Sequence, residues 1–172
     1  MDEPETAALR ATAHPLRLQI LSVLTGTAMS AAELARELGT TQANASYHLR
    51  VLAEAGEVVL DGEEVIRGGV AKRYRHPWRE LKTASTRSKT DMTHHLRAMG
   101  QEMSRRWSQR KPRTKSLISD AEMWVEPEVW ERVLGLVEEA SQLMHDAAKA
   151  PRTPGTVHAN VQAVAFRMEG DQ

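Results

Sequence analysis

Ser30-Ala31-Ala32-Glu33-Leu34-Ala35-Arg36-Glu37-Leu38-Gly39-Thr40-Thr41-Gln42-Ala43-Asn44-Ala45-Ser46-Tyr47-His48-Leu49-Arg50-Val51-Leu52-Ala53-Glu54-Ala55-Gly56 is the stretch that decides the fold. It opens on Ser30-Ala31-Ala32-Glu33, the S-x-x-E form of a capping box: the serine side chain meets the amide three residues on and the glutamate reaches back. A short helix is therefore expected, with Leu34, Ala35 and Leu38 facing inward and Gly39 supplying the permissive backbone of its stop. After Gly39-Thr40 another helix is expected from near Thr41 to Ala55, ended by Gly56. At about 100° per residue, Ala45, Leu49 and Leu52 cluster on one side of it, with His48 on the flank. The opposite side holds Ala43, Ser46, Tyr47, Arg50 and Glu54, and Gln42 and Asn44 border that polar face near the helix start.

Upstream, Leu9, Ala13, Leu16, Ile20 and Leu24 follow a helical spacing over residues 6–24. Pro15 interrupts the pattern, because proline loses a hydrogen bond and clashes with the preceding turn, so the helix kinks there or a new one begins near His14-Pro15. Downstream, residues 57–76 read as a two-stranded ribbon. Val58-Val59-Leu60 and Val65-Ile66 form one arm and Lys72-Arg73-Tyr74-Arg75 the other, joined across Gly68-Gly69. Asp61-Gly62 offers a competing turn, which leaves the register open.

Helix, short capped helix, glycine turn, helix with a polar outer face, then a ribbon rich in cations is the order of a winged helix-turn-helix. A B-DNA major groove of roughly 12 Å admits one helix whose outer face is polar and whose inner face packs on a scaffold. Gln42 and Asn44 can offer donor and acceptor together to adenine, Arg50 can reach a phosphate or a guanine edge, and Ser46 and Tyr47 can meet base or phosphate. Arg67, Lys72, Arg73 and Arg75 of the wing suit phosphates or a narrow minor groove. The competing reading is a winged-helix module that binds another protein through the same domain.

His14-Pro15-Leu16-Arg17-Leu18-Gln19-Ile20-Leu21, the capped helix with Gly39, and the run from Thr41 to Leu52 ending at Ala55-Gly56 resemble the DNA-binding domain of ArsR-like transcriptional repressors. The stretch Arg67-Gly68-Gly69-Val70-Ala71-Lys72-Arg73-Tyr74-Arg75 resembles the wing of relatives that lack metal ligands. The resemblance implies a homodimer on a palindromic double-stranded operator, with Thr41, Gln42, Asn44, Ser46, Tyr47, His48 and Arg50 facing the groove. Of these, His48 lies nearest the core flank on the helical wheel. The metal sites of the family are not expected here. Their thiolate version needs cysteine, of which there is none, and the version on the dimer helix finds only Asp91, His94 and His95, followed by Ser104, Arg105 and Arg106 where later ligands would stand.

Farther along, Met92, Leu96, Met99, Met103 and Trp107 recur at helical spacing within residues 88–109 and read as a dimer seam in preference to a ligand pocket. A strand is expected over part of residues 117–125. A helix is expected from Pro127 to Ala148, apolar on two faces and so buried on both sides. After a linker, the alternation over residues 157–165 predicts a half-buried strand. Trp107, Trp124 and Trp130 could line a cavity for a small-molecule effector, although tryptophan more often simply packs. The fold class expected is α+β, mostly helical: an N-terminal winged helix-turn-helix over residues 5–78, then a dimerisation helix and a small C-terminal α+β region over residues 79–172.

Composition narrows the classes. The 172 residues carry 23 basic and 23 acidic side chains for a net charge of zero. The zero conceals segregation: residues 1–66 hold 4 Lys/Arg against 10 Asp/Glu, residues 67–115 hold 15 against 3, and residues 116–172 hold 4 against 10. A basic middle of this kind can leave a local footprint for a polyanion. The acidic N-terminus lacks the features of a signal peptide, and no apolar run approaches membrane-spanning length, so a cytoplasmic protein is expected. The 7 histidines are scattered, and neither a phosphate-binding glycine loop nor a G-x-S-x-G elbow occurs, so neither catalysis nor a cofactor is expected.

Overall fold

The computed structural model of the chain describes residues 10–66, 68–79 and 89–169. A short helical turn over residues 10–12 is broken at residues 13 and 14, and helix α1 begins afresh at Pro15–Gly26. His14 is its N-cap, with extended backbone, and its Nδ1 accepts the Leu16 amide at 3.1 Å. Pro15 takes the first helical position, where its missing N–H costs no bond, so proline starts a helix here instead of kinking one.

Strand β1 (Met29–Ser30) leads directly into helix α2 (Ala31–Leu38). The capping box forms: the Ser30 amide donates to Glu33 Oε2 at 2.7 Å, and Ser30 Oγ accepts the Glu33 amide at 3.4 Å. Gly39 closes the helix at φ 65°, the left-handed region that a side chain would resist. Helix α3 (Gln42–Glu54) follows, its N-cap Thr41 accepting the Asn44 amide through Oγ1 at 3.2 Å.

Strands β2 (Val59–Ile66) and β3 (Gly69–Arg75) make the expected hairpin, and β1 adds to its far side, giving an antiparallel sheet of order β1-β3-β2. The Asp61-Gly62 turn signal is absorbed as an irregularity between Leu60 and Gly62, and Ile66 faces Gly69 across the tip. β1, only two residues long, was not anticipated; Met29 pairs with Tyr74 and Ser30 with Arg73. Ile20, Leu24, Leu34, Ala45, Leu49, Leu52 and Val58 form the core, with Met29 and Tyr74 packed against it from the sheet. Each fully buried aliphatic side chain of this kind contributes about 1.5–3 kcal/mol through removal from water.

Helix α4 (Lys89–Ser108) lies against α1, and the buried side of α4 is largely polar. Beside Ala98, Glu102 is 1% exposed and accepts Gln19 Nε2 at 2.7 Å, Arg105 Nη2 at 2.8 Å and Arg106 Nε at 3.2 Å. Nearby, Thr12 Oγ1 and His95 Nδ1 are 2.9 Å apart. Helix α5 spans Pro127–Asp146, close to its expected bounds, but none of its residues is buried. Val129, Val133, Leu136 and Leu143 on one apolar face are exposed and Trp130, Leu134 and Val137 on the other only half-buried, which corrects the expectation of burial on two sides.

The C-terminal region also departs from the α+β reading. Residues 117–125 and 157–165 carry no strand. Alternation of side chains is only half of a strand; the other half is a ladder partner for the backbone, and the described residues provide none. Leu117, Trp124 and Val157 are correspondingly left out in solvent. The end of α5 and the chain after it do return to the N-terminal domain: the His145 and Trp78 rings are 4.8 Å apart, Arg79 pairs with Asp146 at 2.8 Å, and Arg152 pairs with Glu37 of α2 at 2.6 Å. At the end of α1, Gly26 touches the Lys149 backbone so closely that a Cβ there would collide with it. No helix among the described residues is long and apolar enough to cross a membrane.

Candidate nucleic-acid interface

The inner face of α3 is fixed by Ala45, Leu49 and Leu52 in the core, and this turns a polar face outward. Thr41, Gln42, Asn44, Tyr47 and Arg50 are exposed there, with Ser46 half-buried among them. Gln42, Ser46 and Arg50 have no intramolecular side-chain partner among the described residues. Asn44 donates from Nδ2 to Thr40 Oγ1 at 2.9 Å, which orients its amide and leaves its oxygen available. Between residues 40 and 53 there is no acid to repel a polyanion.

His48 does not join this face. It is 6% exposed, its ring lying 4.6 Å from His14 and 5.1 Å, edge-on, from Tyr47. Its Nδ1 is buried without a hydrogen-bond partner. Burial, reinforced by His14 and Arg17, pushes its pKa below the ordinary histidine value. The helical wheel had put His48 at the boundary of the two faces; packing against His14 settles it inward.

The hairpin is less cationic in space than in sequence. Arg73 Nη1 donates to both Glu33 oxygens and to Glu64 Oε2 at 3.1 Å, and its Nη2 donates to the Ala28 carbonyl at 2.5 Å. Those bonds raise the Arg73 pKa, against the opposing effect of burial. Burial pushes the Glu33 carboxyl upward, but the bonds from Ser30 and Arg73 outweigh it and hold the group below its usual range. Arg75 pairs with Asp61 at 3.2 Å, and Lys72 stands opposite Glu63 in the register. Lys72 is exposed with no hydrogen bond or ion pair among the described residues, while Arg67 lies outside them. Both terminal nitrogens of the Arg73 guanidinium, expected on phosphate, are thus engaged inside the domain in this structure. Glu33, read from sequence only as a cap, is what takes Nη1, and the signal missed was β1, which brings Ser30 beside Arg73.

Along α4, Leu96, Met103 and Trp107 are exposed, with Met92 and Met99 half-buried between them, so the stripe runs along the outer side of the helix. The Arg110 guanidinium sits 4.8 Å from the centre of the Trp107 ring. The structure does not gather the three tryptophans into a cavity, since Trp124 is 85% exposed. A shallow cleft of about 280 Å³ lies elsewhere, between the end of α1 and the base of the hairpin, lined by Leu24, Gly26, Asp61, Arg75, His76 and Trp78 among others. Asp91, the first member of the incomplete metal set, has its side chain outside the described residues; His95 is the partner of Thr12, and His94 is exposed.

Residues 12–56 match a protein-family model described as a helix-turn-helix domain. The match takes in α1, α2 and α3, the elements that build the polar face, and it supports a DNA-binding regulatory role. No curated protein matches the chain.

Proposed function

We propose that this chain is a sequence-specific regulator of transcription that binds double-stranded DNA as a homodimer, an ArsR-like repressor without the metal-ligand set. Helix α3 enters the major groove, where Gln42 and Asn44 read base edges and Thr41, Ser46, Tyr47 and Arg50 meet bases or phosphates. The hairpin acts as the wing, with Lys72 and Arg67 supplying its charge to the backbone. The observation that carries this reading is the outer face of α3, which holds no acid before Glu54 at its far end and is set on a helix-turn-helix scaffold by three core residues.

Dimerisation is supported by the outward stripe of α4 and by apolar side chains left open in the C-terminal region, Leu143 of α5 among them. A single chain that exposes this many large apolar groups has surface suited to burial against another copy. Two copies related by a two-fold axis place their α3 helices in successive major grooves, which demands a palindromic operator.

The test is binding of the full chain to labelled duplex from the region upstream of its own coding sequence, against a scrambled duplex, over a range of salt. Tight, salt-dependent and sequence-selective binding is the expected result. No binding to either duplex at low salt would overturn the proposal and favour a protein partner.

A further inference from the structure

With Arg73 taken up by Glu33 and Arg75 by Asp61, the hairpin has few cations left for a phosphate backbone, so another source of charge near α3 becomes important. Arg17 stands in the first turn of α1, one turn after its N-cap His14, whose carbonyl accepts the Arg17 amide at 3.0 Å. Residues three apart share a helix face. That face of α1 looks onto α3, because the His14 ring packs on His48 and His48 in turn meets Tyr47. Arg17 is half-buried beside these side chains, and its Nε is buried with no hydrogen-bond partner. No carboxylate hydrogen-bonds or ion-pairs with it among the described residues.

Four other arginines packed on this domain end on a carboxylate: Arg73 on Glu33, Arg75 on Asp61, Arg106 on Glu102 and Arg152 on Glu37. Arg17 does not, although its charged group is partly desolvated; burial lowers its pKa and Tyr47 opposes that shift. An ionised donor held in that state is costly unless an anion completes it. From α1 it flanks the outward face of α3 without lying on it, so its natural counterpart is the DNA strand bordering the groove and not the base edges on its floor.

We infer that Arg17 is a further DNA-binding residue, donating from its guanidinium to a backbone phosphate beside the groove that α3 enters. The inference rests on the proposed DNA-binding function. It assigns to α1 part of the sequence-independent affinity that the self-paired hairpin does not provide.

The experiment compares the full wild-type chain with Arg17→Gln and Arg17→Lys on the upstream and scrambled duplexes over a series of KCl concentrations, with melting temperatures taken in parallel. Loss of one phosphate contact per subunit should make the slope of log affinity against log salt shallower by about 0.9 per bound subunit. At moderate salt, affinity for both duplexes should fall by the same factor, roughly tenfold per subunit. Arg17→Lys should keep most of the slope, and Arg17→Gln should melt no lower than wild type, since it removes an unpaired buried donor. A wild-type slope in Arg17→Gln, or a lowered melting temperature with unchanged slope, overturns the inference while leaving the regulator intact. A loss confined to the upstream duplex also overturns it, by making Arg17 a base reader. Failure of the wild type to bind either duplex overturns the regulator reading and this inference together.

Discussion

Arg73 of β3 and Glu33 of α2 are locked together: one guanidinium nitrogen lies 3.0 and 2.9 Å from the two carboxylate oxygens, although the residues are separated by 40 positions. Glu33 also closes the cap on Ser30, so one carboxylate fixes both the start of α2 and the base of the hairpin. Arg73→Ala should destabilise the domain by about 1.5–3 kcal/mol, the range for hydrogen bonds to charged groups. Chemical denaturation measures that loss. The salt dependence of duplex binding should stay near the wild-type slope, and a clearly shallower slope would return Arg73 to the interface.

Base reading by α3 makes a different demand. Gln42→Ala or Asn44→Ala should cost about 1–3 kcal/mol on the preferred duplex and little on a scrambled one, because a lost base contact removes discrimination and not general attraction. Parallel titrations of both duplexes check this. Equal losses on the two would place these side chains on phosphate.

The pH dependence of stability follows from three histidines. Burial is the main cause that lowers the pKa of His14, His48 and His76 from the ordinary 6.5; Arg17 adds to the effect at His14, His14 and Arg17 at His48, and at His76 a bond to the Glu57 carbonyl opposes it. With a lowered folded-state pKa, the unfolded chain binds more protons, so stability is retained above 6.5 and falls as pH drops below it. Glu33 and Glu102 are also lowered, from 4.5, so their contribution is lost only at more acid pH. Unfolding midpoints should therefore decline between neutral pH and about 5, within the histidine range. His48→Asn should flatten part of that decline.

The stripe on α4 predicts an oligomeric state. Wild-type chain should sediment as a dimer, and Met103→Glu, which sets a charge in the middle of Leu96, Met99 and Trp107, should sediment as a monomer. Operator affinity should fall with it, since each half-site would be bound alone. A wild-type monomer at all concentrations tested would refute the seam.

Glu102 ties α4 to α1. It is buried and holds Gln19, Arg105 and Arg106. Glu102→Gln keeps the shape, removes the charge and should cost about 1–3 kcal/mol, because charge-assisted bonds become neutral ones. Hydrogen exchange of α4 amides should rise more than that of α3, whose core residues lie elsewhere.

Local chemistry was legible in the sequence, and partnership was not. Ser30 and Glu33, Thr41 and Gly39 declare α2 and α3 within a few residues of themselves, and Gly68-Gly69 declares the hairpin tip. β1 was invisible, because two residues have no period and their strand character comes from Tyr74 and Arg73 opposite them. Residues 157–165 show the reverse: they have the period and lack the opposite chain. On α4 the search for an apolar face found the stripe through Met103, while the face that packs on α1 carries His95 and Glu102, polar groups that only a three-dimensional partner makes buriable. The cations of the hairpin were visible one by one, but their cancellation by Glu33, Glu64 and Asp61 depends on strand register.

The bare glycine at the end of α1 has a consequence in time. Lys149 leaves the ribosome well after Gly26, an interval on the order of ten seconds at translation rates of about 5–20 residues per second. The nascent helix-turn-helix thus exists for a while with its Gly26 side uncovered, and the late-arriving backbone needs a site with no side chain in order to settle onto it. A larger residue there would leave the early fold intact and obstruct only the last step of assembly, so its defect should be absent from a nascent chain halted before Lys149 and present in the finished one.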